Sequence, residues 1–129
     1  MPTAALYIHI PFCEKRCVYC DFYTVAGVSS RIPDYVAALK KEFALRAAAP
    51  FWQRQRFATI FFGGGTPSLL SPQQIAEILD TVFASFQFER HPEITLEANP
   101  GTITSEQLAR YRAAGVNRLS LGVQSLHAE

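Results

Sequence analysis

The stretch FATIFFGGGTPSLLSPQQIAEILDTVFASF, residues 57–86, contains one complete strand-to-helix unit. Phe57–Phe62 has strand length and is rich in β-forming residues. Gly63, Gly64 and Gly65 then break the run. Ser71 is a helix N-cap, with Pro72 at the first helical position and Gln74 completing a capping box. Behind it Ile75, Ile78, Leu79, Val82, Phe83 and Phe86 recur at helical spacing, as one apolar stripe.

The same unit repeats on both sides. Strands are expected at about Ala5–Ile10, Phe57–Phe62, Ile94–Ala98 and Arg118–Val123. A helix follows Pro33, carries Val36, Leu39 and Phe43 on one face, and stops before Pro50. Another opens at Thr104 with a capping box through Gln107 and closes at Gly115. Alternation of strand and helix implies a parallel sheet with crossover helices, in a (β/α) barrel or a doubly wound sheet. The strands themselves favour the barrel. Leu6, Ile8 and Ile10 oppose Tyr7 and His9; Ile94, Leu96 and Ala98 oppose Thr95 and Glu97; Leu119, Leu121 and Val123 oppose Ser120, Gly122 and Gln124. A strand covered by helices on both faces is apolar throughout. The expected fold is therefore α/β, a partial (β/α) barrel of about four parallel strands and three helices. Its polar face looks inward, and the site lies at the C-terminal strand ends.

The chain has 129 residues, 49% hydrophobic and 18% charged, with a net charge of +1. This is the composition of a globular domain. It lacks the basic footprint of a nucleic-acid binder. The apolar runs fall far short of a membrane span, and the start MPTAALYIHIPF has neither a basic n-region nor a small-residue cleavage site. A cytoplasmic location is the default expectation.

The cysteines are more telling. All three lie in HIPFCEKRCVYCDF, directly after the first strand, as Cys13, Cys17 and Cys20. Three thiols cannot all pair within one chain, and in a reducing compartment such a cluster points to metal or redox chemistry. The spacing C-x3-C-x2-C lets one short loop offer three thiolates to three irons of a [4Fe–4S] cluster. The usual protein-bound cluster has four cysteine ligands. With no fourth cysteine in the chain, one iron is left open to a small molecule. A Cys3His zinc site is the competing reading, with His9 nearest and His91 and His127 more distant. Three buried apolar cysteines without metal is the other. Glycines 63–65 bring neither a Gly-Lys-Ser/Thr nor a G-x-G-x-x-G pattern, so they are no phosphate loop. Taken alone they read as a strand-to-helix turn.

The run C-x3-C-x-aromatic-C, with Tyr19 as the aromatic, resembles the signature of the radical S-adenosylmethionine (SAM) superfamily. LYIHIPFCEKRCVYCDFY, FFGGGTPSLL, LEANPGT and GVNRLSLGVQS together resemble one branch, which holds oxygen-independent coproporphyrinogen III oxidases and HemW-type heme chaperones. This resemblance spans Leu6 to Gln124. It implies that Cys13, Cys17 and Cys20 bind the [4Fe–4S] cluster, with Tyr19 beside it. It also implies that Tyr7, Gly64, Gly65, Thr66, Glu97 and Gln124 hold SAM. Many such enzymes carry Glu after the glycines where this chain has Thr66. The reaction so implied is one-electron reductive cleavage of SAM, which requires an electron-donor protein. In the oxidases a further cysteine stands two residues after the last cluster ligand, where this chain has Phe22. That departure favours the chaperone branch, with heme or another tetrapyrrole as cargo and heme-accepting proteins as partners. Oxidative decarboxylation of coproporphyrinogen and a non-catalytic metal-binding module are the alternatives. On the same resemblance, residues 1–129 correspond to the N-terminal part of the core domain, with the rest of the barrel and a following domain absent. Alone, such a piece is expected to aggregate through its open edge.

Overall fold

The computed structural model describes residues 3–13, 25–26, 31–99, 101 and 103–121. Four strands form one parallel sheet: β1 (Ala4–Ile10), β4 (Arg56–Gly64), β5 (Gln87–Ala98) and β6 (Arg118–Leu121). A separate two-residue ladder pairs β2 (Phe12–Cys13) with β3 (Val25–Ala26). The helices are α1 (Ile32–Ala47), the single turn α2 (Pro50–Gln53), α3 (Pro72–Ser85) and α4 (Ser105–Ala114).

The order in the large sheet is β1-β4-β5-β6, so each crossover adds its strand on the same side. A doubly wound sheet must reverse direction, and these strands do not. Because such crossovers are right-handed, steady progression puts all the helices on one face. Accordingly α1 packs on α3, and α3 on α4. This is the barrel alternative, open at both edges among the described residues.

Alternation along the strands creates the two faces. Ile8 pairs with Phe62, Phe62 with Leu96 and Leu96 with Leu119, which puts this row on the helix side. The first three are buried, with Ile10, Ile60 and Ile94, against Leu39, Ile75, Ile78, Leu79 and Val82. The next row runs Tyr7, Phe61, Thr95, Arg118 on the open face. Phe61 thus looks inward and Ile60 outward. Tyr7 is 56% exposed, whereas Thr95 is buried between its neighbours. On β6 Leu119 and Leu121 belong to the helix side, yet they are 37% and 53% exposed, because no helix among the described residues covers this edge. The free edge of β1 likewise borders a groove of about 290 Å³ against α1, lined by Leu6, Tyr35, Phe43 and Trp52.

Both predicted capping boxes form. Ser71 Oγ accepts from Gln74 N–H and Gln74 Oε1 from Ser71 N–H; Thr104 and Gln107 repeat the exchange. Gly115 closes α4 at φ 129°, as its C′ assignment requires. Three expectations are corrected. The α1 segment is followed by the extra turn α2, opened by Pro50. Phe83 is not part of the buried stripe: it is 42% exposed and packs edge-on against Phe88 at 4.8 Å. β5 also starts at Gln87, well before Ile94, because Gln87 and Phe88 pair with Arg56 and Phe57 before the strand bulges through residues 89–92. Pro92 lies in the bulge, where its missing N–H costs no ladder bond.

Register is restored after the bulge by Asn117. Its Oδ1 accepts from Ile94 N–H at 2.8 Å, its Nδ2 donates to Pro92 O at 3.0 Å, and its own N–H donates to Ile94 O at 2.9 Å. β6 is thereby fixed with Arg118 beside Thr95. Asn117→Ala leaves the Ile94 N–H and the Pro92 carbonyl without these partners. It should cost about 1–3 kcal/mol in denaturant unfolding of the full-length protein, with Asn117→Asp, which keeps the acceptor, costing less.

Candidate functional site

The chemistry-bearing residues meet where β1, β4 and β5 end. Pairing of β4 with β1 continues to His9↔Gly63 and Ile10↔Gly64. Beyond the strand, Gly65 N–H donates to Ile10 O at 2.7 Å and Thr66 N–H to Phe12 O at 2.6 Å. The glycine loop is therefore stitched to the segment that enters the cysteine loop. Phe12 and Cys13 pair with Val25 and Ala26, so the ends of the cysteine loop are clasped by the β2–β3 ladder. Cys17, Tyr19, Cys20 and Gln124 lie outside the described residues, and Cys13 is placed by its backbone.

The glycines are needed for close approach. A Cβ on Gly63 would lie 2.8 Å from the Phe61 ring and 2.9 Å from the Tyr7 ring. On Gly64 it would lie 2.7 Å from the His9 imidazole and 2.8 Å from Ile10 O, at a φ of 112°. The loop thus packs tightly under two aromatic side chains of β1. Tyr7 stacks on Phe61 with ring centroids 6.0 Å apart, and its hydroxyl lies 3.3 Å from His9 Nδ1. Across the loop, Glu97 Oε1 accepts the Gly64 N–H at 3.1 Å. Of the two bland readings of Glu97 and the glycines, an internal salt bridge and a plain turn, the structure replaces the first with this hydrogen bond.

Electrostatics agree with the placement. Partial burial, reinforced by the Glu97 carboxylate, pushes the Tyr7 phenol above its ordinary value. Tyr7 is therefore a neutral hydroxyl at physiological pH. Tyr35, whose hydroxyl donates to His9 O, is raised by burial first and by Glu42 and Tyr7 after that. Burial alone pushes Tyr111 up to about 12.

Tyr7 and Glu97 thus share the open side of the sheet, and Gly64, Gly65 and Thr66 follow at the end of β4, tied to Glu97 and to β1. The amide protons of Gly64, Gly65 and Thr66 are all used internally. The Thr66 carbonyl is used as well, by the Leu69 N–H at 2.9 Å; the Thr66 hydroxyl and glycine carbonyls are the acceptor groups such a loop can offer to an amino group. Three cysteines in one short segment are the number a cluster with one open iron needs, and the glycine loop is tied to the residues that lead into that segment. Reading the sequence missed Ser68, Asn99, Tyr35 and Tyr111. Ser68 Oγ accepts from Asn99 N–H at 3.4 Å, and Tyr111 OH donates to Ser68 O at 2.9 Å. The one available signal was a tyrosine on a helix face that periodicity would otherwise fill with leucine or phenylalanine.

The family model of the radical SAM superfamily matches residues 7–129. The chain belongs to the radical SAM superfamily. It is similar to the heme chaperone HemW of Escherichia coli (strain K12), 44% identical over 131 residues, covering 100% of this chain and 34% of that protein. It is also similar to the mitochondrial radical S-adenosyl methionine domain-containing protein 1 of Bos taurus, 44% identical over 125 residues, covering 95% of this chain and 27% of that protein. The chain therefore spans between about a quarter and a third of these relatives. Among solved structures, the radical SAM enzyme coproporphyrinogen III oxidase (HemN) from Escherichia coli matches with a TM-score of 0.84 and 35% identity, over 95% of this chain and 28% of that one. No described helix is long and apolar enough to cross a membrane.

Gly64→Ala places a Cβ at positive φ and against His9. It should destabilise the full-length protein by about 1–3 kcal/mol, read as a lowered melting temperature, with shortened protection of the 63–66 amides in hydrogen exchange.

Proposed function

We propose that this chain is the cluster- and SAM-binding part of a radical SAM protein of tetrapyrrole metabolism, a heme chaperone that delivers heme to target proteins. The observation that carries the reading is the stitching of the glycine loop to the entry of the cysteine loop, with Glu97 opposite. In this reading Cys13, Cys17 and Cys20 hold a [4Fe–4S] cluster, with Tyr19 beside it. Tyr7, Gly64, Gly65, Thr66, Glu97 and Gln124 hold SAM. When bound, these groups supply one-electron reductive cleavage of the sulfonium, the electron coming from a donor protein.

The residues have separate tasks. The carbonyls of the glycine loop orient the methionine amino group. Glu97 keeps the loop in place through Gly64 and adds negative charge beside it. Tyr7 offers a protonated hydroxyl and, stacked on Phe61, an aromatic wall that excludes water. Residues 1–129 would form the N-terminal part of the core domain, the remaining barrel and a further domain coming from elsewhere in a longer protein. Three adjacent thiols suit a reducing compartment, and we place the protein in the cytoplasm.

Anaerobic reconstitution of the full-length protein with iron and sulfide should yield four irons and four sulfides. It should also produce 5′-deoxyadenosine from SAM under a strong reductant. Replacement of Cys13, Cys17 or Cys20 by Ala should abolish stable cluster binding, because no thiolate is spare. Zinc without sulfide would instead support the metal-module reading.

Glu97→Ala should weaken SAM binding with the iron content kept. If iron is lost and SAM affinity stays, Glu97 supports the fold and not the ligand. The choice of branch rests on Asp21-Phe22, where the oxidases carry the further cysteine. The full-length protein should bind heme and leave coproporphyrinogen III unchanged; decarboxylated product in the tetrapyrrole assay would assign it to the oxidases.

A further inference from the structure

We infer that Tyr111 and Ser68 are positioning residues that lock the glycine loop and the end of β5 into one unit, so that the two walls of the SAM pocket keep a set spacing. The inference rests on the SAM reading above. Both residues are buried, and no role in that reading uses them.

Tyr111 is the largest fully buried side chain among the described residues, 1% exposed, and lies on α4 behind the sheet. Its hydroxyl donates to Ser68 O at 2.9 Å and also reaches Leu70 O. A phenol has one proton, so it is shared between two carbonyls of the 3-10 turn Pro67–Leu69 and its cap. Buried carbonyls at the end of a short helical turn have lost their intrahelical partners and need a donor from elsewhere. Phenylalanine would fill the same space without supplying one. The turn so held is the direct continuation of the glycine loop, since Leu69 N–H donates to Thr66 O at 2.9 Å.

From this turn a second link runs to β5. Ser68 Oγ accepts the Asn99 N–H at 3.4 Å, a long bond, next to the shorter one from Gly64 N–H to Glu97 Oε1 at 3.1 Å. Residues 64 and 68 of one loop are therefore tied to residues 97 and 99 at the end of one strand. The loop cannot slide along β5 without breaking both links. Tyr111 fixes the pair from behind, through a rigid helix capped at both ends.

The test uses the reconstituted full-length protein with Tyr111→Phe, Ser68→Ala and the double variant. SAM affinity, iron content, the spectrum of the reduced cluster without SAM, and amide exchange of the SAM-free protein are compared. Each single variant should weaken SAM binding about 3- to 30-fold, the range typical of residues that act through a network. Exchange should quicken at residues 63–70 and 97–99, with iron content and the SAM-free spectrum unchanged. The double variant should be no worse than the poorer single one, because both act on one turn. If SAM affinity and loop exchange stay at wild-type values in both single variants, the inference is wrong. It is equally wrong if exchange rises across the whole sheet and the two losses add, which is the pattern of general destabilisation. Should Tyr111→Phe fail to fold, Ser68→Ala decides alone, since it deletes one hydroxyl. A wild-type protein that binds no SAM would refute the ligand reading, while the SAM-free exchange data would still decide whether Tyr111 and Ser68 hold the loops.

Discussion

The pairing of β4 with β1 carries the rest of the structure, because it does not stop where the strand does. It runs through Gly63 and Gly64 and then on as two loop bonds, from Gly65 N–H to Ile10 O and from Thr66 N–H to Phe12 O. Those bonds place the glycine loop beside the segment that enters the cysteine loop. They also explain why the strand ends in glycine. Side chains at 63 and 64 would collide with Tyr7, Phe61 and His9, and the loop would be driven away from β1. The glycine loop and the segment that leads into the cysteines are thus held side by side by ordinary backbone hydrogen bonds.

A second constraint is the division of the sheet into two unlike faces. The row Ile8, Phe62, Leu96 is buried in the same hydrophobic cluster as the apolar residues of α1 and α3. The row Tyr7, Phe61, Thr95, Arg118 faces the other way, with Glu97 beyond it near the strand end. A polar strand face is tolerable when it lines a cavity for a polar ligand, and costly when it is pressed against a core. The arrangement therefore keeps the chemistry on one side and the packing on the other. Surface ion pairs such as Lys40–Glu77 and Arg118–Glu93 add little to either.

The relatives and the structural neighbour have different functions, chaperone and oxidase, on a common fold. Both match nearly the whole of this chain, so its fold is common ground for the two. This chain spans about a third or less of either protein. A shared core with variable loops is the ordinary way one barrel supports several activities.

Local signals in the sequence were sufficient for much of this. Both capping boxes, the glycine C′ position at Gly115, and the alternation that turns Tyr7 and Glu97 to one face are properties of a few neighbouring residues. They survive into the structure because nothing in the tertiary packing opposes them. Cysteine spacing and the ordered motifs likewise pointed to the superfamily without coordinates. Tertiary structure decided what depends on partners distant in sequence. Strand order chose the open barrel over the doubly wound sheet, since order is set by which edges pair and not by any one strand. β5 began early because Gln87 and Phe88 found Arg56 and Phe57, and the bulge at Pro92 followed. Glu97 became the acceptor for Gly64 N–H, and Tyr111 the donor to Ser68 O, across separations of 33 and 43 residues. A hydrogen bond of that kind needs a direction and a distance, and a one-dimensional pattern supplies neither.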